Sequence, residues 1–339
     1  SSTATIVLTV ALIGAGVLNL KQAVSIVMGA NIGTTITAQI IRLSDIDAGS
    51  NIFLMLFDTD TLAPIALVVG IILLMFVKTK KSKTIGDIFI GFGVLFIGLN
   101  LMTEGVKPLI GSDAFEAFLT FLSNPLFGIL FGLVLTVIVQ SSSATVGMLQ
   151  TVASASAASG GAAVTFAMAY PVIMGINLGT CVTTAMVCSI GTGKDAKRTG
   201  VVHILFNSIG TILFLIVMSL LQRFAVFGKE FWFVSVDSGG IANFQTIFNL
   251  ITAIVLIPFT NLLVKLSLMI VKPDKEETRI ADHASLYTLD EKLYISPAVA
   301  VNEATKAVAA MGDLARINFA RGCEQLFKPD ENVQELIDR

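Results

Sequence analysis

"LFGILFGLVLTVIVQSSSATVGMLQTVASASA", residues 126–157, consists of two apolar runs, 126–139 and 143–157, on either side of a polar tip made of Gln140, Ser141, Ser142 and Ser143. Each run is shorter than the about 20 residues a helix needs to cross the hydrocarbon of a bilayer. Two half-length apolar arms around a polar tip describe a re-entrant hairpin, which enters the membrane, turns near its middle and leaves on the same side. Such a tip holds non-helical backbone at depth, tolerated only where it is buried in protein or lines a wet cavity. The competing description is one long tilted helix with an internal serine cluster.

The rest of the chain agrees with a membrane setting. Of 339 residues 54% are hydrophobic and 14% charged, against about 25% charged in ordinary soluble domains, and the mean hydropathy is +0.84. Further apolar segments lie near 4–18, 22–41, 61–77, 85–106, 161–190, 200–221 and 241–271. The formal net charge of −2 gives no basic surface for nucleic acid. Cys181, Cys188 and Cys323 are too few and too scattered for a disulfide framework or a metal site. His203 and His283 form no metal constellation with the carboxylates, and no set of nucleophile, base and orienting group can be assembled, so an enzyme is not expected. The start carries no initiating Met and no signal-peptide pattern, and is expected to be trimmed.

Lys and Arg gather in cytoplasmic loops. The basic clusters are Lys78, Lys80, Lys81 and Lys83; Lys194, Lys197 and Arg198; and Lys272 and Lys275. With the first inside, 85–106 runs outward, 125–157 dips in from outside and returns, 161–190 runs inward, 200–221 outward and 241–271 inward. All three clusters then share the cytoplasmic side, whereas a plain span at 125–157 would put Lys194 to Arg198 opposite Lys78 to Lys83. Counting back from Lys78, 61–77 runs inward and 22–41 outward.

The chain begins "SSTATIVLTV", which lines up with "SSSATVGML" as Ser1/Ser141, Ser2/Ser142, Thr3/Ser143, Ala4/Ala144, Thr5/Thr145 and Ile6/Val146. On the counting above, this first serine-tipped arm points opposite to the second, which makes an inverted-topology repeat. In that architecture substrate and ion sites lie near the midplane, where discontinuous helices of the two halves meet. A second landmark repeats as well: "GANIGTTIT" at 29–37 matches "GINLGTCVT" at 175–183, pairing Gly29/Gly175, Asn31/Asn177, Gly33/Gly179, Thr34/Thr180 and Thr37/Thr183. Two glycines four apart with Asn and Thr between them allow a span to unwind and offer carbonyls, amides and hydroxyls to a cation. The same small-xxx-small spacing also lets membrane helices pack closely. Pro171, one turn before the second landmark, is expected to help break that helix.

A serine run at the start of a hairpin's second arm places hydroxyls and unpaired N–H groups at the positive end of a helix, a ready anion site. Two such ends, inverted, aim at one point. Neither arm carries Arg or Lys, so a buried anion there needs bound cations to supply the missing charge.

"QSSSAT" followed by "GINLGT", with "SSTAT" followed by "GANIGT", resembles the type II sodium/phosphate cotransporter family, more closely its bacterial members, over most of 1–271. The resemblance implies an all-α polytopic membrane protein with two inverted repeats, each with a re-entrant hairpin and a broken helix. It implies a phosphate site at Gln140, Ser141, Ser142 and Ser143, with Ser1, Ser2 and Thr3 as first-repeat counterparts. The expected sodium set is Asn31, Gly33, Thr34, Thr145, Asn177, Gly179 and Thr180. The expected activity is sodium-coupled symport of inorganic phosphate in the plasma (inner) membrane, with no cofactor beyond the coupling sodium ions and with a homodimer as the expected assembly; a sodium-coupled carrier of another small anion, such as a carboxylate, is the alternative. The first Gln and the hairpin arm before it have no counterpart here, and are expected in an N-terminal stretch or a separate chain. The expected organisation is a first repeat over 1–77, a second over 85–221, a last span at 241–271, and a cytosolic region from 275 to 339 resembling PhoU-like helical domains, with an apolar stripe of Val301, Ala304, Val308, Met311 and Leu314. Asn207 and Asn249, at matching offsets in "HILFNSIG" and "QTIFNLIT", are expected to bridge helices as scaffold, with ion ligation as the alternative. Glu104 and Lys107 are expected to pair at a helix end.

Overall fold

The computed structural model describes residues 2–14, 17–45, 58–77, 79–160, 163–189 and 193–272, together with scattered helical positions between 301 and 323. The protein is an all-α polytopic membrane protein. Its helices are α1 (Ser2–Gly14), α2 (Leu20–Ile41), α3 (Thr59–Phe76), α4 (Lys80–Val106), α5 (Asp113–Leu122), α6 (Pro125–Val139), α7 (Ser142–Ala158), α8 (Phe166–Ser189), α9 (Lys194–Arg223), α10 (Lys229–Phe233), α11 (Ser238–Leu256) and α12 (Thr260–Ile270). Among the described residues five stretches are long and apolar enough to cross a bilayer: α2, α4 with the turn after it, α8, α9, and α11 with α12. A short 3-10 turn at Ile257–Phe259 joins the last two helices. Helices α5 and α6 meet at 107°, a corner set by Ser123 and by Asn124, which caps α6 with Pro125 in its first turn.

The serine-tipped segment reverses direction. A side chain on Gly128 would meet Pro171, one on Gly132 would meet Val172 and Ile176, and one on Gly179 would meet Leu133 and Thr136. Residue numbers rise together along this contact, so α6 and α8 lie parallel. Between them, α7 ends where α8 begins: the Val164 N–H donates to Ser156 Oγ at 3.2 Å. The far end of α7 is therefore level with the start of α6, as in a hairpin. A plain span over 125–157 would have left α6 and α8 antiparallel.

The two halves are inverted. Helix α2 is antiparallel to α11, because Gln39 donates to Thr246 Oγ1 at 3.0 Å while Arg42, one turn on, donates to Asn243 Oδ1 at 3.3 Å. Helix α11 is antiparallel to α9, since Gly210 abuts Thr252 and the Phe214 ring lies 4.9 Å from that of Phe248. Helix α9 is in turn antiparallel to α8, with Gly200 against Cys188 and the His203 carbonyl beside Cys181. The matched helices α2 and α8 thus run in opposite directions. Their surroundings match too: α1 rests on α8 and α9 as α7 rests on α2 and α11.

Helix α8 is the buried axis; Ala169, Tyr170, Val172, Ile173, Met174 and Ile176 are almost wholly covered. The outer faces of α3, α4, α6, α9 and α11 expose Val68, Ile72, Ile88, Leu130, Ile216 and Ile254 among others, the apolar surface a lipid-facing protein presents.

One expectation is corrected. Both landmarks are continuous helix, Leu20–Ile41 and Phe166–Ser189, with Pro171 inside the second. The glycines of the second landmark serve close approach instead: a side chain on Gly175 would begin 2.1 Å from the Ile129 carbonyl oxygen. The discontinuities are at Gln140 and at the α5–α6 corner. Glu104 and Lys107 do pair, at 2.6 Å on the surface. Val301, Val308 and Met311 are helical and exposed; Ser1, Lys78, Lys275 and most of 275–339 lie outside the described residues.

Candidate functional site

The tip of the second hairpin is built by three consecutive backbone states. Helix α6 ends at Gln140, whose φ of 56° and ψ of 22° are left-handed, and whose N–H still bonds to the Thr136 carbonyl. Ser141 follows in extended conformation as the cap of α7, its hydroxyl accepting from the Ala144 N–H at 3.2 Å. Thr145, fully buried, returns its hydroxyl to the Ser141 carbonyl at 2.9 Å. A left-handed residue before an extended Ser/Thr/Asn-type cap turns the chain tightly and leaves the next hydroxyls at the N-terminal end of a helix.

Two cavities meet at this tip. One, of about 460 Å³, is lined by Ser2 and Thr5 of α1, by Gly29, Gly33, Thr34 and Thr37 of α2, and by Ser143 of α7. The other, of about 380 Å³, lies between α2, α4 and α7 and includes Thr37, Ser141 and Ser143. Thr37 and Ser143 belong to both. Hydroxyls from the two sequence copies therefore face one space, and among the described residues no charged side chain lines either cavity. Among the described residues nothing stands within 4 Å of where a side chain on Gly29 or Gly33 would begin, whereas the matching Gly175 and Gly179 are filled by α6.

The remaining expected site residues are distributed differently. Ser142 is buried and Thr3 half-buried near the tips, and Gln140 is exposed at the turn. Asn31 is buried, its Oδ1 3.2 Å from His203 Nε2. Asn177 Nδ2 donates to the Ile173 carbonyl at 3.0 Å, and the Thr180 hydroxyl to the Ile176 carbonyl at 3.1 Å, both within α8. Gly179 packs on α6. The structure thus gathers Ser2, Gly33, Thr34, Ser141 and Ser143 around the cavities and leaves Asn177, Gly179 and Thr180 in helix packing. Sequence reasoning missed Gln150, which ties the hairpin to both neighbours: its amide donates to the carbonyls of Ala38 at 3.1 Å and Ser238 at 3.0 Å. A fully buried amide in an apolar run was the available signal.

Residues 1–104 and again 97–236 match the Na+/Pi-cotransporter family. The chain belongs to that family. YqeW of Bacillus subtilis is 29% identical over 269 residues, 78% of each chain. YjbB of Salmonella typhimurium, named for inorganic phosphate export, is 24% identical over 314 residues, covering 92% of this chain and 52% of the relative. The human sodium-dependent phosphate transport protein 2B is 29% identical over 136 residues, 38% of this chain and 19% of that protein. The chain spans about half the length of the YjbB proteins it matches. No solved structure matches it.

Proposed function

We propose that this chain forms the membrane part of a sodium-coupled inorganic phosphate transporter, with phosphate held between the starts of α1 and α7. The observation that carries it is the cavity shared by Ser2 of α1 and Ser143 of α7, opening beside Gly33 and Thr34. Two helix N-termini and several hydroxyls stabilise an oxyanion by dipole and hydrogen bonds. Ser141, Ser142, Ser143 and Gln140 supply one side; Ser2 and Thr3, with Ser1, supply the other. Among the described residues no cationic side chain lines the cavity, so burying phosphate there calls for co-bound cations. Asn31, Gly33, Thr34 and Thr145, with Asn177, Gly179 and Thr180 in the second half, are the sodium ligands of this proposal, after helix adjustment frees the amide and hydroxyl oxygens from packing. The basic ends of α4, α9 and α12 face the cytoplasm.

The test is phosphate uptake and efflux by the intact protein in liposomes, with sodium replaced by choline. Sodium should tighten phosphate, and phosphate sodium, by the same factor, since binding linkage is reciprocal. A hydrogen bond to a charged group is worth about 1.5–3 kcal/mol, so Ser143→Ala should weaken phosphate by about tenfold to a hundredfold. Phosphate transport equally fast in choline would overturn the coupling, and would favour the export activity for which YjbB is named. Unchanged phosphate affinity in Ser143→Ala would remove the site from the shared cavity.

A further inference from the structure

Three buried asparagines of this chain bond back along their own helices. Asn177, Asn207 and Asn249 donate their amide N–H groups to the carbonyls of Ile173, His203 and Gln245, four residues earlier, at 3.0, 3.0 and 2.9 Å. Gln150 of α7 does not. Fully buried, it turns its Nε2 toward two other helices, 3.1 Å from the Ala38 carbonyl of α2, 3.0 Å from the Ser238 carbonyl of α11 and 2.8 Å from Ser238 Oγ. One amide thus joins the second hairpin to the last turn of α2 and to the first turn of α11.

The α2 backbone does not need this bond. The Ala38 carbonyl already accepts the Arg42 N–H at the end of α2, and Gln150 Oε1 is itself buried without a hydrogen-bond partner among the described residues. Burying an amide with its oxygen unmet is costly, so the return lies in direction. Apolar contact is non-directional and lets a helix turn on its neighbour, whereas a hydrogen bond weakens steeply as its angle changes. Helix α7 would otherwise have that freedom, because it meets Ile41 and Leu99 through Gly147, which has no side chain to interlock with them.

Ser143 lies seven residues before Gln150, two turns of helix and therefore on the same face. Fixing the rotation of α7 at Gln150 also fixes the direction of Ser143, the α7 hydroxyl residue that shares both cavities with Thr37 of α2. Its acceptor Ala38 is the next residue after Thr37. The first arm is held differently: Val10 of α1 stands at the position matched to Gln150 and packs against the apolar cluster that contains Ile6 and Val24. We propose that Gln150 is a positioning residue of the phosphate site, its amide setting the rotation of α7 against α2 and so the aim of Ser143 into the cavity shared with Thr37. This role rests on the transport reading above.

Phosphate binding by titration calorimetry and sodium-driven uptake, both with the purified intact protein, test it. Gln150→Met keeps the length without the donor, and Gln150→Asn keeps the donor one methylene short. Each should bind phosphate about tenfold or more weakly, the usual loss when a group that orients a ligand is removed. The KM for phosphate should rise in step while the maximal rate changes far less, as for a loss of binding that saturation overcomes. Ser154→Ala is the control. It removes another bond between α7 and Ser238, whose N–H donates to Ser154 Oγ at 3.0 Å, and leaves the α2 contact, so it should lower the melting temperature without changing phosphate affinity. Wild-type affinity in a folded Gln150 variant, the same loss in Ser154→Ala, or failure of both Gln150 variants to fold overturns the role. Weakened binding by Ser143→Ala would then still uphold the phosphate site itself. Absence of phosphate binding by wild type instead removes the transport reading and this role together.

Discussion

Gln140 combines two duties that a substitution can separate. Its left-handed φ of 56° turns the hairpin, and a non-glycine residue there costs about 1–2 kcal/mol in backbone strain; its side chain is offered at the tip. Gln140→Gly should keep or raise thermal stability, by up to about 1 kcal/mol, because glycine takes that conformation without strain. The same variant should bind phosphate more weakly than wild type, a comparison that isothermal titration makes directly; unchanged affinity would give Gln140 a purely conformational role. The hydroxyl residues of the site were legible because they occur twice in the same order, and the structure brings Ser2 and Ser143 to one cavity. What Asn31 touches was not legible: its contact with His203 spans 172 positions of sequence. Nor could sequence tell which way the amides of Asn207 and Asn249 face, since an asparagine that bridges two helices and one that bonds back along its own helix leave the same letter in the same apolar run.

The hairpin was legible at the scale of elements, because length and charge are summed over many residues. Two short apolar arms and three basic clusters required a reversal near Gln140, and the parallel course of α6 and α8 is that reversal. The landmarks were misjudged for a physical reason. Gly-x-x-x-Gly gives the same pattern whether the helix unwinds or a neighbour presses against it, and only the neighbour's position distinguishes them. Here α6 presses on α8 hard enough that Gly175→Ala would drive a methyl group into the Ile129 backbone. Backbone cannot step aside as a flexible side chain can. The variant should lose at least about 1–3 kcal/mol of stability, seen as a lower melting temperature or a collapse of monodisperse yield. Gly91→Ala on α4, where nothing stands within 4 Å among the described residues, is the matched control and should gain from the better helix propensity of alanine. Equal melting temperatures for the two variants would mean that α6 and α8 are less tightly interlocked than their glycines indicate.

In the whole molecule, inversion and charge distribution constrain one another. The start of α9 is tied to the end of α12, with Arg198 Nε donating to the Val271 carbonyl at 3.1 Å and Lys194 Nζ to the Lys272 carbonyl at 2.8 Å. Two of the basic clusters therefore share one end of the bundle, as the two crossings between them, α9 and then α11 with α12, require. Helix α4 carries the remaining cluster at its start and reaches the hairpin with its later turns, where Leu99 lies beside Gly147. A chain whose positive charge is gathered at one end has a preferred orientation, because each Lys or Arg near an anionic leaflet contributes about 1 kcal/mol and the cytoplasmic side retains such loops. Cysteines introduced one at a time at Lys81, Lys197 and Lys272 should all react with a membrane-impermeant thiol reagent from the cytoplasmic side alone, in a background lacking the three native cysteines. A cysteine at Ser112, before α5, should react from the opposite side, because α4 crosses once between Lys81 and that position. Labelling of positions 81 and 197 from opposite faces would require a further crossing between them, which the parallel packing of α6 on α8 does not permit, and the inverted arrangement of the two halves would fall with it.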